Sequence, residues 1–248
     1  MFDLEGRVPD AAIDGPIIDA AIDAPLHYAD VVLAAGPSAY WRFGPDSASA
    51  AVDATGGDHL GTYVGAMTFV PGAIAADGET AALFSGLNHV AVGDKLDFPG
   101  TASFTLEAWV KPTGATNSGG IITKNTEVGG NNRNGYLLFV SDDLVAAERT
   151  LTEVTNQRAF YGVGPPVGVW THLVATYDGG TLTVFVDAAV RATSNVSIDL
   201  PDSTFSFAIG GRDGGPIERF SGAIDEVAIY PRALTPGEVT LHHDVGVR

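Results

Sequence analysis

Three aspartates stand where a hard cation could be held. Asp53 and Asp58 are five positions apart in the glycine-bearing stretch 52–63. Gly56 and Gly57 in that stretch leave backbone carbonyls free to turn inward. Asp225 sits in a run whose neighbours Ile224 and Val227 are apolar. A carboxylate there is costly unless it is paired or coordinated. Calcium takes about six to eight oxygens and mixes carboxylates with carbonyls from tight loops. Asp53, Gly56, Asp58 and Asp225 are therefore the candidate ligands. Asp58 is the replaceable one, since a carbonyl or amide oxygen could serve in its place. The competing reading is local: Asp53 starts an Asx-turn and Asp225 caps a backbone turn. Glu226, one position on, should point the other way and is left out of the set.

A second chemistry is recognition of hydroxyl-rich ligands. Asn131, Asn132, Arg133 and Asn134 lie in the polar stretch 129–135, and Arg212, Asp213 and Arg219 form another group. Amide, guanidinium and carboxylate groups on rim loops can hydrogen-bond sugar hydroxyls while aromatic faces stack on the rings. Plain solvated loops are the alternative for both groups. Trp41, Trp109 and Trp170 fall inside strand-like runs, where core packing is the expectation.

Catalysis has little to stand on. There is no cysteine, so thiol nucleophiles, disulfides and cysteine zinc sites are excluded. His242 and His243 have no neighbouring nucleophile to complete a triad. His172, in a strand-like run, is expected to be a structural histidine. Asp225 and Glu226 are adjacent, so on a regular strand they face opposite sides.

The elements that must position these residues are mostly strands. Phe104-Thr105-Leu106-Glu107-Ala108-Trp109-Val110 alternates with period two. Phe104, Leu106, Ala108 and Val110 share one face. Trp109 shares the other with Thr105 and Glu107, so that second face should be covered or carry a binding surface. Residues 171–177 and 181–186 flank Asp178-Gly179-Gly180, a hairpin signature. Further strands are expected at 40–43, 81–84, 89–92, 121–124, 136–140, 205–209 and 223–230. One segment reads as helical. Thr235 is its N-cap, Pro236 its first position, and Glu238 stands three residues after the cap. Many short strands and one terminal helix describe an all-β antiparallel sandwich or jelly roll.

The 31 glycines and 14 prolines fit that turn-rich architecture. Thirteen basic against thirty acidic residues give a net charge of −17. Such a surface repels phosphate backbones, which argues against nucleic acid and anionic membranes as partners. No apolar run is long enough to insert in a membrane, and the N-terminus lacks the basic and apolar regions of a signal peptide. Residues 1–27 are rich in Asp, Ala, Ile and Pro, and Asp-Ala-Ala-Ile-Asp occurs at 10–14 and 19–23. The expectation is an extended spacer, with pairing at a sheet edge as the alternative. Residues 28–248 form the single domain.

From Tyr28 onward the motifs resemble the LamG-like jelly-roll domains of the laminin G / concanavalin A-like lectin/glucanase superfamily. Tyr40-Trp41-Arg42-Phe43, the 52–63 loop, Phe104–Pro112, Trp170–Asp178, Ile209–Arg212 and Phe220–Val227 come in the family's order. The likeness covers about residues 28–245. It implies a β-sandwich and a structural calcium linking the first loop to the last strand. It also implies an extracellular or cell-surface setting and a glycan or glycoprotein partner. The glucanases of the superfamily carry a Glu-x-Asp-x-[x]-Glu strand, which this chain lacks, so a non-catalytic binding or adhesion module is expected. The alternative is an assembly or decoration subunit whose N-terminal arm pairs with a neighbour or with a second copy.

Overall fold

The computed structural model describes residues 26–114, 118–128, 132–152, 154–213 and 219–248. Nearly all of the expected spacer, and Asn131, lie outside the described residues. Two helices, α1 (Tyr28–Ala34) and α2 (Pro236–Gly246), frame the strands. In chain order these are β1 (Ala39–Trp41), β2 (Thr62–Val64), β3 (Thr68–Pro71), β4 (Thr80–Ser85), β5 (His89–Gly93), β6 (Phe104–Pro112) and β7 (Ser118–Val128). Then follow β8 (Asn132–Ser141), β9 (Leu144–Thr150), β10 (Asn156–Tyr161), β11 (Thr171–Tyr177), β12 (Leu182–Val186), β13 (Ala189–Ser194), β14 (Phe207–Ile209) and β15 (Ser221–Tyr230).

The strands form two antiparallel sheets. One is eight-stranded, ordered β13-β12-β11-β6-β15-β4-β3 with β1 also on β15. The other is seven-stranded, ordered β10-β9-β8-β7-β14-β5-β2. The all-β sandwich with a short C-terminal helix is therefore the fold. The main core lies between the sheets and includes Trp41, Phe84, Phe104, Leu106, Val110, Leu138, Leu173, Phe207 and Ile224. Alternation along β6 delivers Phe104, Leu106, Ala108 and Val110 to that core, as the sequence pattern predicts.

The opposite face of the eight-stranded sheet is covered as well. Trp109, Val174, Phe185, Ala228 and Tyr230 meet Tyr28, Val31, Val32, Val239 and Val245 from the two helices in a second apolar cluster. Trp109 thus belongs to a core rather than a binding surface. Helix α1 departs from the expectation of a single, C-terminal helix. The run Tyr28–Ala34 is too short to show helical periodicity by itself, and its burial against the sheet holds it. Helix α2 starts as expected, with a complete Thr235/Glu238 capping box and Pro236 in its first turn. At the β11–β12 hairpin, Gly179 takes φ +101°. Asp178 Oδ1 accepts from the N–H groups of Gly180 and Thr181 at 2.9 and 2.7 Å.

Candidate functional site

The four candidate cation ligands are not gathered into one shell. Asp53 Oδ1 accepts from Tyr40 N, Thr55 N and Thr55 Oγ1 at 3.1, 3.0 and 2.7 Å, and its Oδ2 lies 3.0 Å from His59 Nδ1. Burial alone would raise its pKa, but these hydrogen bonds hold it below the usual carboxylate range. The Asx-turn alternative describes this residue. Gly56, at φ +75°, donates its N–H to Asp53 O in the same turn. Asp58 is exposed and bonds Lys95 Nζ at 2.6 Å. Asp225 is fully buried, with Oδ2 accepting from Ala73 N at 2.7 Å and Oδ1 from Glu226 N at 3.0 Å. Among the described residues no group of three or more His, Cys, Asp or Glu is placed to share a metal ion.

The surroundings of Asp225 differ from the expected regular strand. Strand β15 shifts register against β6 between Asp225 and Ala228, and Glu226 takes φ +51°. A β-bulge of this kind defeats simple alternation, so Asp225 and Glu226 are both fully buried. Burial pushes the Asp225 carboxyl up to about 7, and burial plus the neighbouring Asp225 raises Glu226. Tyr40 Oη donates to Glu226 Oε2, and Arg42 reaches Glu226 and Asp77 at 3.4 and 2.9 Å.

A second buried carboxylate organises the covered face. Glu107 accepts from Tyr230 Oη and His172 Nε2, both at 2.7 Å, and from Tyr28 Oη at 3.2 Å. His242 Nδ1 lies 3.0 Å from each of its oxygens. Burial would raise Glu107, but the charge of His242 and the histidine hydrogen bonds hold it well below the ordinary carboxylate range. Burial lowers His242, but Glu107 more than offsets this and raises it above 6.5. His172 is structural, as expected, and stacks on Trp109 at 4.8 Å. The contribution of protonated His242 to stability is fully present below about pH 6.5, the free-imidazole value, and is lost as pH rises through the higher folded value. Urea melts of the wild type and His242→Gln should therefore differ most at pH 6, with the gap shrinking by pH 9. A gap that widens with pH would contradict this pairing.

The seven-stranded sheet keeps part of its outer face open. Tyr136, Leu138 and Val140 of β8 point into the core, so Leu137 and Phe139 point out. They line a groove of about 290 Å³ with Leu144, Ala146 and Glu148 of β9 and Arg158 and Phe160 of β10. The register sets two rows across it: Phe160–Ala146–Phe139 and Arg158–Glu148–Leu137. Phe160 is 61% exposed, and Arg158 Nη2 bonds Glu148 Oε1 at 2.7 Å. This groove was missed in the sequence. Its signal is an apolar residue on the solvent side of an alternating strand, Phe160 above all.

The expected rim residues fall in two places, and Asp213 and Arg219 of the second group meet at His89. Asn132, Arg133 and Asn134 are not in a loop but in β8, whose pairing with β7 extends to Val128↔Asn132. Asn134 is half-buried. Arg212 is buried, and Asp213 Oδ1 lies 3.2 Å from His89 Nε2. Arg219 flanks Gly211, whose missing Cβ its Cδ would meet at 2.5 Å. Arg219 also acts on His89, where burial and then its charge lower the imidazole pKa. Trp41 and Trp109 are core residues. Trp170 is half-buried with Lys111 Nζ 4.6 Å above its ring.

Two stacked antiparallel sheets, one helix-covered and one with an open outer groove, define a lectin-like sandwich of the concanavalin A type. The chain belongs to the concanavalin A-like lectin/glucanases superfamily, whose laminin G model matches residues 84–240. The match begins at the end of β4, so the Tyr40–Phe43 motif and the 52–63 loop precede it. Among solved structures, the chain resembles domain 4 of AbnA, an extracellular GH43 arabinanase from Geobacillus stearothermophilus, solved with arabinotriose. The TM-score is 0.61 at 22% identity, over 84% of this chain and 98% of that one. It also resembles the botulinum neurotoxin serotype G binding domain, with TM-score 0.63 and 12% identity over 84% of this chain and 51% of that one. The binding domain of botulinum neurotoxin DC in complex with SialylT gives TM-score 0.60 and 12% identity, over 84% and 50%. The chain spans about half the length of these neurotoxin structures. No helix among the described residues is long and apolar enough to cross a membrane.

Proposed function

We propose that this chain is a non-catalytic, extracellular carbohydrate-binding module. The observation that carries the reading is the open groove on the seven-stranded sheet, where Phe139 and Phe160 flank a floor bordered by the Arg158–Glu148 pair. Aromatic faces beside a few polar groups are what sugar rings require. The arabinotriose complex of the similar arabinanase domain supports the ligand class, and that enzyme's extracellular setting supports the localisation. Glycosidase chemistry needs two carboxyls flanking one bond. Among the described residues, Glu148 is the one carboxylate lining the groove, and it is tied to Arg158. Glu107, Asp225 and Glu226 have no exposed surface. A glycan array probed with the whole chain should give a saturable signal on a restricted set of structures. A blank array, or uniform weak signal on all spots, would remove the reading.

A structural calcium is part of this proposal, at a different set of groups from the quartet named above. Asp225 Oδ2 and the Glu79 carbonyl oxygen both lie within contact of the place a Cβ on Gly72 would fill, at 2.8 and 2.9 Å. The Glu79 carboxylate occupies the corresponding place at Gly44. Gly72 leaves a cradle beside the Asp225 carboxylate and the Glu79 carbonyl, which suits a hard cation completed by further loop oxygens. The ion would supply positive charge to a buried acidic cluster and tie the loop after β3 to β15.

A further inference from the structure

Resting on the carbohydrate reading, we infer that the β8–β10 groove selects short, uncharged oligosaccharides and rejects sialylated or otherwise acidic glycans. Phe160 and Phe139 are opposite the same Ala146 from its two neighbouring strands, which sets them two strand spacings, roughly 10 Å, apart. The small Ala146 between them leaves a trough with an aromatic side chain on each bank. Leu137 and Leu144 complete the apolar floor. At about 290 Å³ the groove is at the low end of the roughly 300–1,000 Å³ of ligand pockets, which suits a short stretch of sugar chain.

The polar groups decide the charge class. Among the described residues that line the groove, Arg158 is the one cation, and Glu148 already neutralises it at 2.7 Å. Together they offer donors and an acceptor to hydroxyls without a net charge. An acidic sugar would meet a guanidinium already neutralised by a carboxylate and would bring a second negative charge beside Glu148, whose side chain is only 10% exposed. Asp142 and Asp143 form the β8–β9 turn next to Leu144, with Asp143 Oδ1 accepting from Ser141 Oγ at 2.5 Å. The chain as a whole carries −17. Both features repel an approaching anion.

Calorimetric titration of the whole chain tests this with arabinotriose, xylotriose, cellotriose and lactose as neutral probes and 3′-sialyllactose as the acidic one. At least one neutral probe should bind, and Phe160→Ala should weaken it 10-fold or more. Leu87→Ala, on the exposed turn between β4 and β5 and not among the groove's lining residues, should leave it unchanged. Sialyllactose should bind at least 10-fold more weakly than the best neutral probe. Tighter binding of sialyllactose than of every neutral sugar, or neutral binding indifferent to Phe160→Ala, overturns the inference while leaving carbohydrate binding intact. Silence from every probe overturns both.

Discussion

Replacing Glu107 by alanine should lower the unfolding free energy by about 3–5 kcal/mol, the loss typical of removing one partner from a buried charged pair. Glu107 is the common acceptor for Tyr28, Tyr230, His172 and His242. Truncation strands two phenolic hydroxyls and two imidazoles that share this one acceptor. His242 would also lose the carboxylate that raises its pKa, leaving burial to favour the neutral imidazole. The damage should spread along the layer, because α1 reaches Glu107 through Tyr28 and α2 through His242. Trp109 Nε1 donates to Tyr28 Oη at 3.0 Å, so its ring would lose an anchor too. A loss of this size is a large fraction of the roughly 5–15 kcal/mol that holds a domain folded. Glu107→Gln keeps a carbonyl acceptor of similar shape and should cost less. Urea denaturation of both variants at pH 7 checks the order. An alanine variant as stable as the wild type would mean that the two helices are held by apolar packing alone.

Removal of the proposed calcium is the second large expected effect. With free calcium at about 100 times its dissociation constant, linkage stabilises the folded state by about 2.7 kcal/mol. For a chain of this size that corresponds to a melting temperature shift of about 5–10 °C. The wild type should show this drop in EGTA. Asp225→Asn should melt near the EGTA-treated wild type and respond to neither calcium nor chelator, because it removes the carboxylate that faces Gly72. Asp58→Ala should respond as the wild type does, since Asp58 stands exposed against Lys95. Melts that coincide with and without EGTA would remove the metal; sensitivity lost in Asp58→Ala instead would restore the first-loop site.

The sandwich was legible because Phe104, Leu106, Ala108 and Val110 of β6 recur with period two and because Asp178-Gly179-Gly180 marks its own hairpin. The Thr235–Glu238 cap was legible for the same reason: its geometry is local. What escaped notice depends on partners far along the chain. Helix α1 is held by contacts with β6, β15 and α2 that no seven-residue window contains. Alternation placed Asp225 and Glu226 on opposite faces, and a bulge of two residues undid that inference. Asn132–Asn134 read as a loop because of their polarity, yet they extend β8 by pairing with β7. Phe160 sits on the solvent side of β10, and only the register of three strands shows that it shares a trough with Phe139.

Backbone amide shifts recorded while a neutral trisaccharide is titrated into labelled protein test the carbohydrate-binding face most directly. Perturbations concentrated at residues 137–148 and 158–160 are the predicted result. Perturbations confined to residues around Arg212 and Asp213, or none at millimolar sugar, would contradict it.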